Sequence, residues 1–238
     1  MHPIEHETQT LPLSDGTELD VYVARPVGSH DRRVGILVFQ EIWGVNEHIK
    51  DVCDRLARAG YTAAAPDVFH RTAPRFSAPY TDFSGMQHAQ AITPEGVRLD
   101  VLATHGVLTS ALGDDAPITS IGFCMGGRLS WTANALLPLR AAICFYGGGI
   151  ATSAIELASQ QKAPVLLFWG GKDKHITREH RHIVSDALSK AGKNYIECNF
   201  GHADHGFFCD KRASYHPNAA KEAWGLVLSF LAANTIEE

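Results

Sequence analysis

Residues 5–11 and 18–24 read as two extended segments on either side of the turn Ser14-Asp15-Gly16, a combination that predicts a β-hairpin at the start of the fold. From residue 34 the pattern changes. VGILVF (34–39) is a continuous apolar run, suited to a strand covered on both faces, and TAAA, ITSIGF, AAICFY, VLLFW and YIECNF repeat that reading at intervals.

Between these runs lie helices with recognisable ends. Asn46 can cap a helix whose apolar positions Ile49, Val52, Cys53 and Leu56 share one face and which Gly60 stops. Thr93-Pro94 opens a second, with Val97, Val101, His105, Leu108 and Leu112 roughly in line. A third follows Cys124 and ends by Pro138, a fourth occupies about 177–191 before Gly192, and a fifth starts at Pro217 with Ala220, Trp224, Val227, Leu228 and Leu231 inward. About eight strands, the later ones separated by helices, predict an α/β protein with a mostly parallel sheet and helices on both faces. Residues 66–93 carry prolines, two histidines and several aromatics without a clear period, so they read as an excursion of the kind that forms a lid or pocket wall. Without a repeat or linker, residues 1–238 are expected to form a single domain.

Composition narrows the function classes. A net charge of -5 with no basic run argues against nucleic acid as a partner. No apolar run approaches the length that spans a bilayer and the first ten residues, MHPIEHETQT, are polar, so no membrane is implied and a cytoplasmic protein is expected. Five cysteines without close pairs, at 53, 124, 144, 198 and 209, offer neither a disulfide framework nor a C-x-x-C half-site. Cys53, Cys144 and Cys198 read as small buried hydrophobes. The thirteen histidines, with His175, His180, His182, His202 and His205 crowding the C-terminal third, read as solvated surface.

Cys124 is different. In SIGFCMGGRLS it falls between a predicted strand and a predicted helix with glycine at each second neighbour. A G-x-C-x-G turn there has the form of a nucleophile elbow, which thrusts the central side chain out at the C-terminal edge of a sheet. The N-terminus of the next helix favours the thiolate, and its first N–H, on Met125, can donate to an oxyanion. The alternative is a small buried residue.

Partners decide between the two. The order nucleophile, acid, histidine is present: Asp173 follows VLLFW in GGKDKHI, and His202 and His205 follow YIECNF in GHADHGFF. Asp173 could instead serve a turn or cap, and the two histidines could join His175 around zinc. His205 is preferred as the base because Gly206 and Phe207-Phe208 suit a packed loop, with His202 as the alternative. Glu41 follows the first parallel strand in QEIWGVN, at the edge where a carboxylate can take up or hold a thiol proton, although it could equally pair with a loop donor. The N–H of Ile42 is a candidate second oxyanion donor.

Taken together, QEIWGVN, GYTAAAPD, IGFCMGGRLS, FYGGG, WGGKDKHI, DHGFF and RASYHPNAAKEAW resemble the dienelactone hydrolase (carboxymethylenebutenolidase-like) family of α/β-hydrolases over nearly the whole chain. The resemblance implies a triad of Cys124, His205 and Asp173, with Glu41 activating the thiol when substrate arrives, oxyanion donors on Ile42 and Met125, and Tyr146 lining the pocket. It implies hydrolysis of a small-molecule ester or of an enol-lactone to maleylacetate, with no metal or cofactor. Family members active on dienelactone hold its carboxylate with arginines, one of them four residues after the catalytic histidine. Here that position is Cys209, and residues 80–95 contain no arginine. Arg75, Arg128, Lys211 and Arg212 are the available substitutes. A carboxylesterase or thioesterase for uncharged substrates is therefore the first alternative, and a redox-responsive binding protein with a sensor thiol at Cys124 the second.

Overall fold

The computed structural model describes residues 2–28 and 31–235, and the chain divides into two compact units, Met1–Thr119 and Ser120–Glu238. In the first, strands β1 (Ile4–Pro12) and β2 (Glu18–Pro26) form the expected hairpin, with Thr8 opposite Tyr22. Strand β3 (Gly35–Phe39) is buried at every residue, as its unbroken apolar run requires. Helix α1 (Glu47–Arg58) starts where the Asn46 side chain accepts the Ile49 N–H at 3.2 Å, and the chain leaves it through Gly60 at φ +96°. Strand β4 (Thr62–Pro66) then pairs parallel with β3 and antiparallel with β2.

The excursion contains a short helix that its sequence did not announce, α2 (Gly85–Ala91). Its turns are tied to buried Asp67, whose carboxylate accepts the N–H groups of Phe69 (3.1 Å) and Arg75 (2.6 Å). Helix α3 (Pro94–Leu112) starts at the predicted Thr93 cap. Its apolar stripe includes Asp100, a buried carboxylate that meets His70 at 3.1 Å and Arg71 at 2.9 Å; Arg71 also reaches Asp15 at 2.7 Å. His70 and His48 are therefore interior residues, and the reading of the histidines as solvated surface is wrong for both. A buried carboxylate is tolerated only when it is paired, which is what His70 and Arg71 accomplish.

Strand β5 (Ile118–Phe123) begins in the first unit and continues into the second. The second unit then runs through α4 (Met125–Leu136), β6 (Ala141–Phe145), the short α5 (Ile150–Ser153), a 3-10 turn (Ile155–Gln160), β7 (Val165–Gly170), α6 (Arg178–Lys190), β8 (Tyr195–Phe200) and α7 (Pro217–Thr235). β6 to β8 pair in parallel, and the eight strands follow the order β1-β2-β4-β3-β5-β6-β7-β8, a mostly parallel α/β sheet as expected. Phe123, Phe145, Phe168 and Phe208 stack in the core of the second unit, with ring centroids 4.3 to 5.3 Å apart.

Two expectations need correction. YIECNF is not buried on both faces: β8 is the last strand of the order, with β7 as its neighbour, and Ile196 is 49% exposed. Cys198 is consequently half-buried rather than interior. The buried stripe of α7 runs through Ala220, Ala223, Val227, Phe230 and Leu231, leaving Trp224 and Leu228 on its margin. No described helix is long and apolar enough to cross a membrane.

Candidate active site

Cys124 caps α4 with φ +56° and ψ -118°, a conformation an L-residue holds at a cost of about 1–3 kcal/mol. The surroundings enforce it. The Cys124 N–H donates to the Phe145 carbonyl at 3.0 Å, tying the turn to the end of β6, and the Gly127 N–H donates back to the Cys124 carbonyl at 3.0 Å. A side chain on Gly122 would run into the Gly126 carbonyl, so the strand and the first helical turn approach this closely only with glycine there. Met125 is the first residue of α4, where backbone N–H groups lack intrahelical acceptors.

Asp173 lies between β7 and α6 with its side chain 1% exposed. One carboxylate oxygen accepts the N–H groups of His175 (2.7 Å) and Ile176 (3.0 Å), which fixes its direction. The other faces His205 Nδ1 at 2.7 Å. A carboxylate on Nδ1 assigns that nitrogen its proton and leaves Nε2 as the free nitrogen of the ring, and the Cys124 sulfur lies near enough to act on the charge of the imidazole. Burial alone would raise the Asp173 carboxyl, but His205 and the two backbone donors hold it below its ordinary value. Burial likewise opposes charge on His205, yet the Cys124 sulfur and the Asp173 carboxylate outweigh it and push the imidazole up to about 10.

That shift has a stability consequence of definite sign. The folded value lies above the ordinary 6.5, so the His205 contribution is complete below pH 6.5 and is lost as pH rises from there through about 10. Urea unfolding across this window is expected to show a fall in wild-type stability that is smaller in His205→Asn. Parallel curves for the two proteins would contradict it.

Of the other predicted residues, Tyr146 follows β6 at φ +35° with its ring buried and 5.1 Å from that of His205, centroid to centroid. His202 is exposed, and it is His205 that meets Asp173. Among the described residues, His175, His202 and His205 do not come together as a metal-ligand set. Glu41 and Ile42 belong to the first unit, both buried just past the end of β3. Cys209 is buried. Arg75 is engaged by Asp20 in the first unit, Lys211 is exposed, and the Arg212 guanidinium packs against Gly206 beside His205. His175, which the sequence brought toward His205 only as part of a zinc alternative, stands with its ring 5.6 Å from that of His205, edge to face.

The dienelactone hydrolase family model matches residues 19–235. A Yersinia pestis protein named "Putative carboxymethylenebutenolidase" is 32% identical, covering 96% of this chain and 88% of that one. A Synechocystis protein of the same name is 33% identical over 90% of this chain and 91% of its own. Among solved structures, the "Putative Dienelactone Hydrolase" of Klebsiella pneumoniae superposes with a TM-score of 0.88 at 31% identity, covering 97% of this chain and 99% of that one.

Proposed function

Because the chain belongs to the dienelactone hydrolase family and is an ester-hydrolysing enzyme, we propose that it opens a small-molecule ester or enol-lactone with Cys124 as nucleophile in a Cys124-His205-Asp173 triad. The observation that carries this reading is the position of His205, bonded through Nδ1 to a buried carboxylate and raised by the nearby sulfur of Cys124, which is held in a strained turn. The thiolate adds to the carbonyl carbon, and the oxyanion takes a hydrogen bond from the Met125 N–H at the head of α4. Collapse breaks the bond to the alcohol oxygen, which leaves with the proton of His205. The neutral imidazole then takes a proton from water, hydroxide attacks the thioester, and the acid departs as the thiolate is restored. Tyr146 forms part of the wall against which the acyl group lies. Glu41, as the carboxylate that activates the thiol, and Ile42, as second oxyanion donor, keep the roles that the family resemblance implies.

A family model running from 19 to 235 supports reading the chain as one hydrolase domain. Cys53, Cys124, Cys144 and Cys198 remain thiols, which suits a cytoplasmic location. Cys209 at the arginine position and the engagement of Arg75 by Asp20 favour a second reading, a carboxylesterase or thioesterase for uncharged substrates. A panel of lactones, activated esters and thioesters tests both readings. Turnover of at least one class without added cofactor is expected, and failure on every class would refute the proposal.

A further inference from the structure

A cavity of about 60 Å³ lies in the second unit, lined by Gly149, Thr152, Trp169, His175 and His180 among others. It has room for several waters or for a group of about four heavy atoms. Trp169 is 1% exposed, and its indole Nε1 finds no acceptor among the described residues. A buried donor left in that state is costly unless an occupant accepts from it. His175 links the cavity to the catalytic centre through its ring contact with His205. On the Gly149 side, Arg128 packs so closely that an added Cβ would stand 3.1 Å from its Cδ and 3.2 Å from its Nε, and that Nε is also buried without an acceptor.

The segment that supplies His175 and His180 to the cavity is net positive. Residues 172–182, KDKHITREHRH, carry Lys172, Lys174, Arg178 and Arg181 against Asp173 and Glu179, in a chain whose net charge is -5. Asp173 is already committed to His205. The polar side chains among the lining residues are those of Trp169, His175, His180 and Thr152, with no carboxylate among them. Such a set takes an acceptor, and the local charge selects an anionic one.

We propose that this cavity is an anion subsite beside the catalytic histidine, receiving a carboxylate-sized oxyanion as one arm of the substrate. Trp169 is its principal donor, and Arg128 supplies charge from the flank. The role as a substrate arm rests on the hydrolase reading above; the subsite itself does not.

Acetate is the direct probe. The indole N–H resonance of Trp169, assigned by its loss in Trp169→Phe, is expected to shift saturably with acetate and not with chloride at equal ionic strength. In turnover, the ratio of kcat/KM for a carboxylate-bearing ester to that for its methyl-ester analogue is expected to fall about tenfold or more in Trp169→Phe, since a hydrogen bond to a charged group is lost. Arg128→Gln should lower the same ratio and provides a second variant should the indole replacement unfold. No acetate shift together with unchanged ratios overturns the subsite. An acetate shift with unchanged ratios overturns the substrate-arm role and leaves a site for a free carboxylate. If wild type hydrolyses neither ester while the acetate shift persists, the hydrolase reading fails and the subsite stands.

Discussion

Cys124→Ala is expected to abolish turnover of an activated ester, lowering kcat by about 10⁶, as removing the nucleophile of a triad does. The residual rate is whatever oxyanion donation and binding supply without a nucleophile. The fold should survive. Alanine keeps the Cβ and the φ +56° backbone, and the hydrogen bonds holding the turn are backbone bonds to Phe145 and Gly127. The thermal unfolding midpoint is therefore expected to change little while the initial rate disappears. Near-wild-type turnover would remove Cys124 from the mechanism, and loss of both rate and fold would make it structural.

Asp173→Asn is expected to lower kcat/KM by about 10³–10⁴, the scale seen when the carboxylate orienting a triad histidine becomes an amide. Two effects combine. The amide NH₂ can turn toward His205 Nδ1 and impose the wrong tautomer, because the amide oxygen still has the N–H groups of His175 and Ile176 to accept. The negative charge that helps hold the imidazole at about 10 is also lost. The kcat/KM profile against pH should show the rate loss together with a lower ionisation attributable to His205. A variant with wild-type rate and profile would show that Asp173 is a turn residue that happens to lie near the histidine.

Much of this was legible because the physics is local. An unbroken apolar run such as VGILVF reads as a covered strand, and it is one. Asn46 and Thr93 mark the starts of their helices because a short polar side chain satisfies an N–H that the helix leaves open, and each does so here, as does Thr177 at the head of α6. Glycine on both sides of Cys124 announced a turn that only small neighbours permit.

What stayed hidden depends on neighbours distant in the chain. YIECNF has the composition of an interior strand, and nothing within it says that it ends the sheet order. Which of His202 and His205, three residues apart, lies against Asp173 depends on how the loop turns, and it is His205 that meets the carboxylate. Asp100 lay on the apolar stripe of α3 and could have been singled out as a buried carboxylate, but its partners His70 and Arg71 come from the excursion, whose turns carry no period. Trp169 was indistinguishable from the other apolar residues of VLLFW, because an orphaned indole N–H exists only once the chain is folded.

The central claim is that Cys124 forms a bond to the acyl group. Its most direct test is the mass of the enzyme quenched in acid during turnover of an ester that acylates faster than it deacylates. The expected result is a gain equal to the acyl group, located by peptide mapping on the segment containing Cys124 and absent from Cys124→Ala. Turnover without any adduct, or an adduct on another side chain, would contradict it.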